Sequence, residues 1–327
     1  MGARPRIVSL LPSATEIVCA LGLRDRLVGV SHECDHPADV VGLPVVTASK
    51  VDARGSSRDI DRGIRGLVES GLGVYRIDAD LLASLAPDLI VTQDQCDVCA
   101  VPYADVVEAT RALAGRGTEI VSLRPTRIAE VWGDVERVGA AAGVASRGVA
   151  VADRLRDRLG ELARRVERAV GATRPRLACI EWLDPLMAAG NWVPELAAIA
   201  GAAYDLVPAG EHSARLEWEA LGASRPDVVC VMPCGFALDQ TRRELPALVA
   251  DPRWAALPAV RAGRAFAIDG NAYFNRPGPR LVESAEILAG LLHPDGLGQL
   301  VIPGAAERIA AGPAPAGAGP ARVAPAA

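Results

Sequence analysis

Five side chains able to bind a borderline metal fall in two short polar stretches. His32, Cys34 and His36 lie in Ser31-His32-Glu33-Cys34-Asp35-His36-Pro37, and Cys96 and Cys99 lie in Thr92-Gln93-Asp94-Gln95-Cys96-Asp97-Val98-Cys99. Imidazole nitrogen and thiolate sulfur are the donors that zinc and iron favour. Positions 32, 34 and 36 share one side if the segment is extended. A metal site would draw on Cys34, His36, Cys96 and Cys99. A single Cys-x-x-Cys could instead be a redox dithiol, but such pairs open a helix within a thioredoxin pattern that this chain lacks. Structural thiols are the plain alternative.

The elements that must position these loops can be read from a repeat. Leu81-Leu82-Ala83-Ser84-Leu85-Ala86-Pro87-Asp88-Leu89-Ile90-Val91-Thr92 ends a helical run, turns at Pro-Asp and starts an apolar strand. Glu219-Ala220-Leu221-Gly222-Ala223-Ser224-Arg225-Pro226-Asp227-Val228-Val229-Cys230-Val231 does the same. Pro87 and Pro226 stand 139 positions apart, too far for a solenoid period, so the repeat implies two similar α/β lobes. Ligands of open parallel sheets sit beyond the carboxyl ends of the strands. The loops beginning at Thr92 and Met232 therefore face a shared cleft.

Around this repeat the pattern predicts strands at 7–10, 27–30, 119–122 and from 176, and helices at 57–70 and 78–85. A helix start at Ser13 carries the capping box Ser13-Ala14-Thr15-Glu16. Helices over 126–142 and 146–170 follow, the second long enough at 1.5 Å per residue to form a strut of roughly 35 Å between lobes. A last helix covers 279–293. The division is thus an N-terminal lobe over 1–125, connecting helices over 126–172, a C-terminal lobe over 173–300 and an Ala/Pro/Gly tail over 301–327 that reads as disordered.

Composition bounds the function. The chain has 327 residues, a 50 % hydrophobic fraction and a net charge of −5, with no basic stripe suited to nucleic acid. Lys50 is the sole lysine, a candidate partner for a ligand phosphate or a solvated surface charge. No apolar run approaches the ~20 residues that span a bilayer. The opening residues show no signal-peptide core or lipidated cysteine, and seven cysteines spread along the chain suit a reducing compartment. A cytoplasmic location and a monomer are expected, with a missed signal peptide as the alternative. Gly-x-Ser-x-Gly, Gly-x-x-x-x-Gly-Lys, Gly-x-Gly-x-x-Gly and His-Glu-x-x-His motifs are all absent, so an enzyme is not expected.

Ser9-Leu10-Leu11-Pro12-Ser13-Ala14-Thr15-Glu16, Val28-Gly29-Val30-Ser31 with Asp35-His36-Pro37, the Pro-Asp turn, the helical strut and Tyr273-Phe274-Asn275-Arg276-Pro277-Gly278-Pro279-Arg280 together resemble the cobalamin-binding receptors of ABC importers. The wider group also takes up iron siderophores and heme. The resemblance spans roughly residues 6–295 and implies two Rossmann-like lobes joined by one long helix, the class III substrate-binding fold, with cobalamin or a related chelate as bound ligand and no required cofactor. A corrinoid is flat and fringed with amides, so its site should pair aromatic platforms with neutral hydrogen-bond partners. Trp182, Trp192, Phe236, Tyr273 and Phe274 are the platform candidates. Ser13, Thr15, Gln93, Gln95, Asn191, Asn271 and Asn275 are the polar candidates, His36 would approach the cobalt, and Glu181 and Asp184 flank Trp182 at a strand end. Receptors of this group dock on a permease through one glutamate per lobe. Those positions fall near Cys99 and on Asn275, so permease docking is not expected. The rival reading is a metal-dependent enzyme or metal chaperone built on Cys34, His36, Cys96 and Cys99.

Overall fold

The computed structural model describes residues 5–70, 74–93, 117–170 and 173–310. Short, apolar, β-branched runs form the strands of two sheets. In the N-terminal lobe β1 (Ile7–Ser9), β2 (Leu27–Val30), β5 (Leu89–Gln93) and β6 (Glu119–Leu123) lie in the order β2-β1-β5-β6, all parallel. Parallel strands are covered on both faces, which is why all five residues of β5 are buried. A small antiparallel pair, β3 (Thr47–Ser49) with β4 (Tyr75–Ile77), flanks this sheet.

The C-terminal lobe departs from a purely parallel sheet. Its centre, β7 (Leu177–Leu183), β10 (Val228–Val231) and β11 (Ala265–Ile268), is parallel. Both edges are antiparallel, with β8 (Leu186–Ala188) and β9 (Ala214–Arg215) beyond β7, and β12 (Ala306–Arg308) beyond β11. Strand β8 follows β7 after two residues, a connection only an antiparallel pair allows. Residues 301–310, expected as the start of a disordered tail, instead carry β12. Its residues pair with β11, and Ile309 donates its amide to Ala265 O at 2.8 Å.

The repeated Pro-Asp turn is a structural repeat as well. Asp88 Oδ2 accepts the Arg6 amide at 2.7 Å, and Asp227 Oδ2 accepts the Arg176 amide at 2.8 Å. The amides of Asp88 and Leu89 return to Arg6 O as those of Asp227 and Val228 return to Arg176 O. Each carboxylate thereby locks the start of one strand to that of its neighbour. The residue before each proline, Ala86 at φ 44° and Arg225 at φ 46°, ends the preceding helix in the left-handed region.

The first helix (Pro12–Ala20) corrects the expected capping box. Proline at its first position is already set for helix, so the start moves upstream to Leu11, and Ser13 lies inside the first turn with no capping bond. Helices Ile128–Ala141 and Ala145–Ala169 connect the lobes. They pack closely because a Cβ on Gly139 would stand 2.8 Å from Gly148 Cα. One apolar cluster runs from Ile7 and Val91 through Trp132, Val151 and Leu159 to Leu177, Phe274 and Leu288. The lobes therefore share a core along the strut.

Candidate ligand-binding cleft

Three sets of contacts join the lobes beyond that core. At one rim Glu244 Oε2 accepts the Ser57 amide at 2.9 Å and its hydroxyl at 2.8 Å, Arg58 meets Asp184 at 2.6 Å, and Gln240 Nε2 donates to Ala53 O at 2.8 Å. At another, Glu195 takes the Ile128 amide at 2.8 Å and pairs with Arg127 at 3.2 Å. Between them lies an ion cluster. Arg280 grips Glu16, its Nε at 3.0 Å from Oε2. Arg276 reaches Glu16 at 3.4 Å and Asp35 through Nη2 at 2.9 Å, and donates to Glu33 O at 3.3 Å and Asn271 Oδ1 at 2.9 Å. Burial pushes the Asp35 carboxyl up, but the Arg276 guanidinium outweighs this and holds it below the usual range.

The Arg58–Asp184 pair and the Asp35–Asn271 bond bracket the cleft face of the C-terminal lobe. Trp182, two residues before Asp184, meets Phe236 with ring centroids 5.2 Å apart and planes tilted by 59°. Phe236 is 2 % exposed and accepts the Asn271 amide on its carbonyl, while Trp182 remains half-buried and presents a ring surface. Gly270 makes the close approach possible, since a Cβ there would lie 2.4 Å from Pro233 O. On the N-terminal side, the same bracket encloses the loop after β2. Tyr75 OH donates to Glu33 Oε1 at 3.0 Å, and the His32 and Tyr75 rings stand 5.3 Å apart.

Several expected ligand contacts are structural. Trp192 is 5 % exposed and donates its indole N–H to Phe274 O at 2.9 Å. Phe274 is fully buried, so both rings pack in the shared core rather than form platforms. Asn275 Nδ2 donates to Met232 O at 3.2 Å and Gly270 O at 3.0 Å, which ties down the turn. Thr15 is sealed, its hydroxyl 2.8 Å from Ser9 Oγ and 3.0 Å from Cys34 Sγ. Ser13 is buried with its hydroxyl unpartnered, and Gln93 is buried at the end of β5. Asn271 is engaged with Asp35, and Tyr273, half-buried, lies beneath Arg280 at 5.6 Å.

Gln95, Cys96 and Cys99 lie outside the described residues. Among the described residues no three His, Cys, Asp or Glu side chains gather as a metal site. Burial pushes the Cys34 thiol up to about 11, a poor metal ligand or nucleophile near neutrality. His36 is exposed, and desolvation together with the Arg280 charge lowers its pKa. Glu181, whose carbonyl accepts the Cys234 amide, is pushed up to about 7 by burial, with only the Ser213 hydroxyl at 2.7 Å opposing. The ion cluster escaped sequence reasoning, although Glu16, Arg276 and Arg280 all stand in the stretches that carry the resemblance. No local pattern says that positions 260 and 264 residues apart will pair.

The model of the periplasmic binding protein family matches residues 7–272, most of the chain. The chain belongs to the periplasmic binding protein family. A curated relative, the ABC transporter substrate-binding lipoprotein YvrC of Bacillus subtilis, is 22 % identical over 294 residues, 89 % of this chain and 80 % of the relative. Two solved structures share the fold. A periplasmic heme binding protein from Pseudomonas aeruginosa is 23 % identical, with a TM-score of 0.68 over 89 % of this chain and 94 % of that one. The periplasmic vitamin B12 binding protein BtuF of Vibrio cholerae is 21 % identical, with a TM-score of 0.62 over 88 % and 96 %. These matches overturn the expectation of a cytoplasmic protein, because the family and these relatives are periplasmic or lipoprotein binding proteins. Among the described residues no helix is long and apolar enough to cross a membrane.

Proposed function

We propose that this periplasmic binding protein captures a flat metal chelate of the corrinoid or tetrapyrrole class between its lobes and delivers it to an ABC importer. The observation that carries this reading is the half-buried Trp182 ring, backed by the buried Phe236 and close in sequence to the cross-lobe contact of Asp184 with Arg58. Such an aromatic surface suits a planar apolar ring, whose burial supplies most of the binding energy, while the polar rim orients its fringe. The names of the relatives support the same class, since they include a heme binder, a vitamin B12 binder and an importer lipoprotein. Delivery to a permease is supported by the importer lipoprotein among the relatives, although no acid stands at Asn275.

The test is titration of the purified chain with cobalamin and, separately, with hemin, read by Trp fluorescence and the visible spectrum. Saturable quenching by either at micromolar concentration, weakened by Trp182→Ala, is expected. No response to either ligand up to high micromolar concentration would remove the proposal.

A further inference from the structure

The four histidines of the chain have different surroundings. His293 Nε2 lies 3.0 Å from Ala200 O, inside the packed C-terminal lobe. His212 is exposed in the loop before β9, on the C-terminal lobe. His36 stands beside the ion cluster, near both the Arg280 and Arg276 charges and the Glu16 and Asp35 carboxylates, and no side-chain hydrogen bond orients its ring among the described residues. His32 alone is oriented by a hydroxyl. Thr47 Oγ1 lies 2.7 Å from His32 Nδ1, accepts the His32 amide at 3.1 Å, and donates its own proton to Ser31 Oγ at 3.1 Å. The contact with Thr47 engages Nδ1 and fixes the ring, and among the described residues it leaves Nε2 without a hydrogen-bond partner.

The rest of the surroundings suits a neutral ligating imidazole. Tyr75 flanks the ring, its planes tilted by 50°, while its hydroxyl is turned to Glu33. Glu33 Oε1 stands 3.9 Å from Nε2, too far to hydrogen-bond but near enough to offset positive charge at a bound metal. Burial also lowers the His32 pKa, against the pull of Glu33, which favours the neutral form. A histidine held by a hydrogen bond at Nδ1, with Nε2 left unbonded, is the arrangement by which proteins aim histidine at metals.

We propose that His32 Nε2 binds the metal of the captured chelate, with Thr47 as the residue that positions it. The inference rests on the reading of the cleft given above, and it narrows the ligand to chelates whose metal has an exchangeable axial position. Nε2 donates its lone pair to the metal and the axial water leaves; no oxidation state changes.

The experiment compares the unaltered chain with His32→Gln, His32→Ala and Thr47→Val, titrated with hemin, aquocobalamin and metal-free protoporphyrin. For whichever metallated ligand binds, the unaltered chain should produce the visible spectrum of a nitrogen-ligated metal. Both His32 variants should lose that spectrum and bind at least about tenfold more weakly, yet bind metal-free protoporphyrin as the unaltered chain does. Thr47→Val should weaken metallated ligand by about tenfold. Circular dichroism confirms that the variants are folded. If the His32 variants bind hemin or aquocobalamin with the unaltered spectrum, His32 is not the ligand and the cleft reading stands. If the unaltered chain binds none of the three, the cleft reading fails and takes this assignment with it.

Discussion

Individual side chains in this cleft divide into those proposed to meet a ligand and those that hold the frame. Trp182 is the proposed ligand contact. Trp182→Ala should weaken chelate binding about tenfold, as loss of one aromatic wall costs roughly 1.5 kcal/mol, with little change in the denaturant midpoint. Isothermal titration and urea unfolding of the same variant separate the two effects. Glu181 belongs to the second group. Its carboxyl titrates near 7 in the fold, against about 4.5 when exposed, so the folded chain holds more protons between those values. Its contribution to stability is therefore full below about pH 4.5 and lost as pH rises through 7, with a slope of at most about 1.4 kcal/mol per pH unit. Glu181→Gln should flatten that dependence in urea titrations at pH 5, 6 and 7.

At the scale of elements, the sequence was most legible where the period was strong. Leu27–Val30 and the helix beginning near Ser57 fall where apolar spacing places them, and the twin Pro-Asp turns announce their geometry in the residues themselves. Legibility stopped where partners are distant. Trp192 and Phe274 look like platforms in a linear reading, because nothing local shows that an indole N–H will meet a carbonyl 82 residues away in a common core. Ser13 resembles a cap, but Pro12 at the first helical position takes the start from it. The rim formed by Ser57 and Glu244 was invisible for the same reason. Glu244→Ala removes an acceptor from the first turn of the helix Ser57–Glu69, and should cost about 1 kcal/mol. It should also deprotect the Ser57 amide in hydrogen exchange and speed ligand release several-fold. Unchanged exchange at Ser57 would show that this rim does not restrain the lobes.

For the whole molecule, the central question is what fixes one lobe against the other. The strut and the common apolar core do so on one side, and the cluster of Glu16, Asp35, Arg276 and Arg280 does so between the rims. Glu16 is nearly inaccessible and is the carboxylate that Arg280 grips, so removing it leaves the largely buried Arg280 charge without that partner while Arg276 keeps Asp35. Glu16→Ala should destabilise by about 3–5 kcal/mol, a loss seen as a lower urea midpoint for one cooperative transition. Two separate transitions in that variant would mean the lobes depend on this cluster to unfold together.

The carboxylates of Glu195 and Glu244 have a consequence for how the chain could be divided. Each completes the opening turn of a helix that another part of the chain supplies, at Ile128 and at Ser57. A gene cut between the halves would yield fragments whose helices lack their natural acceptors, stable only on reassembly. Complementation of the two pieces, rather than autonomous folding of either, is the behaviour such borrowed ends dictate.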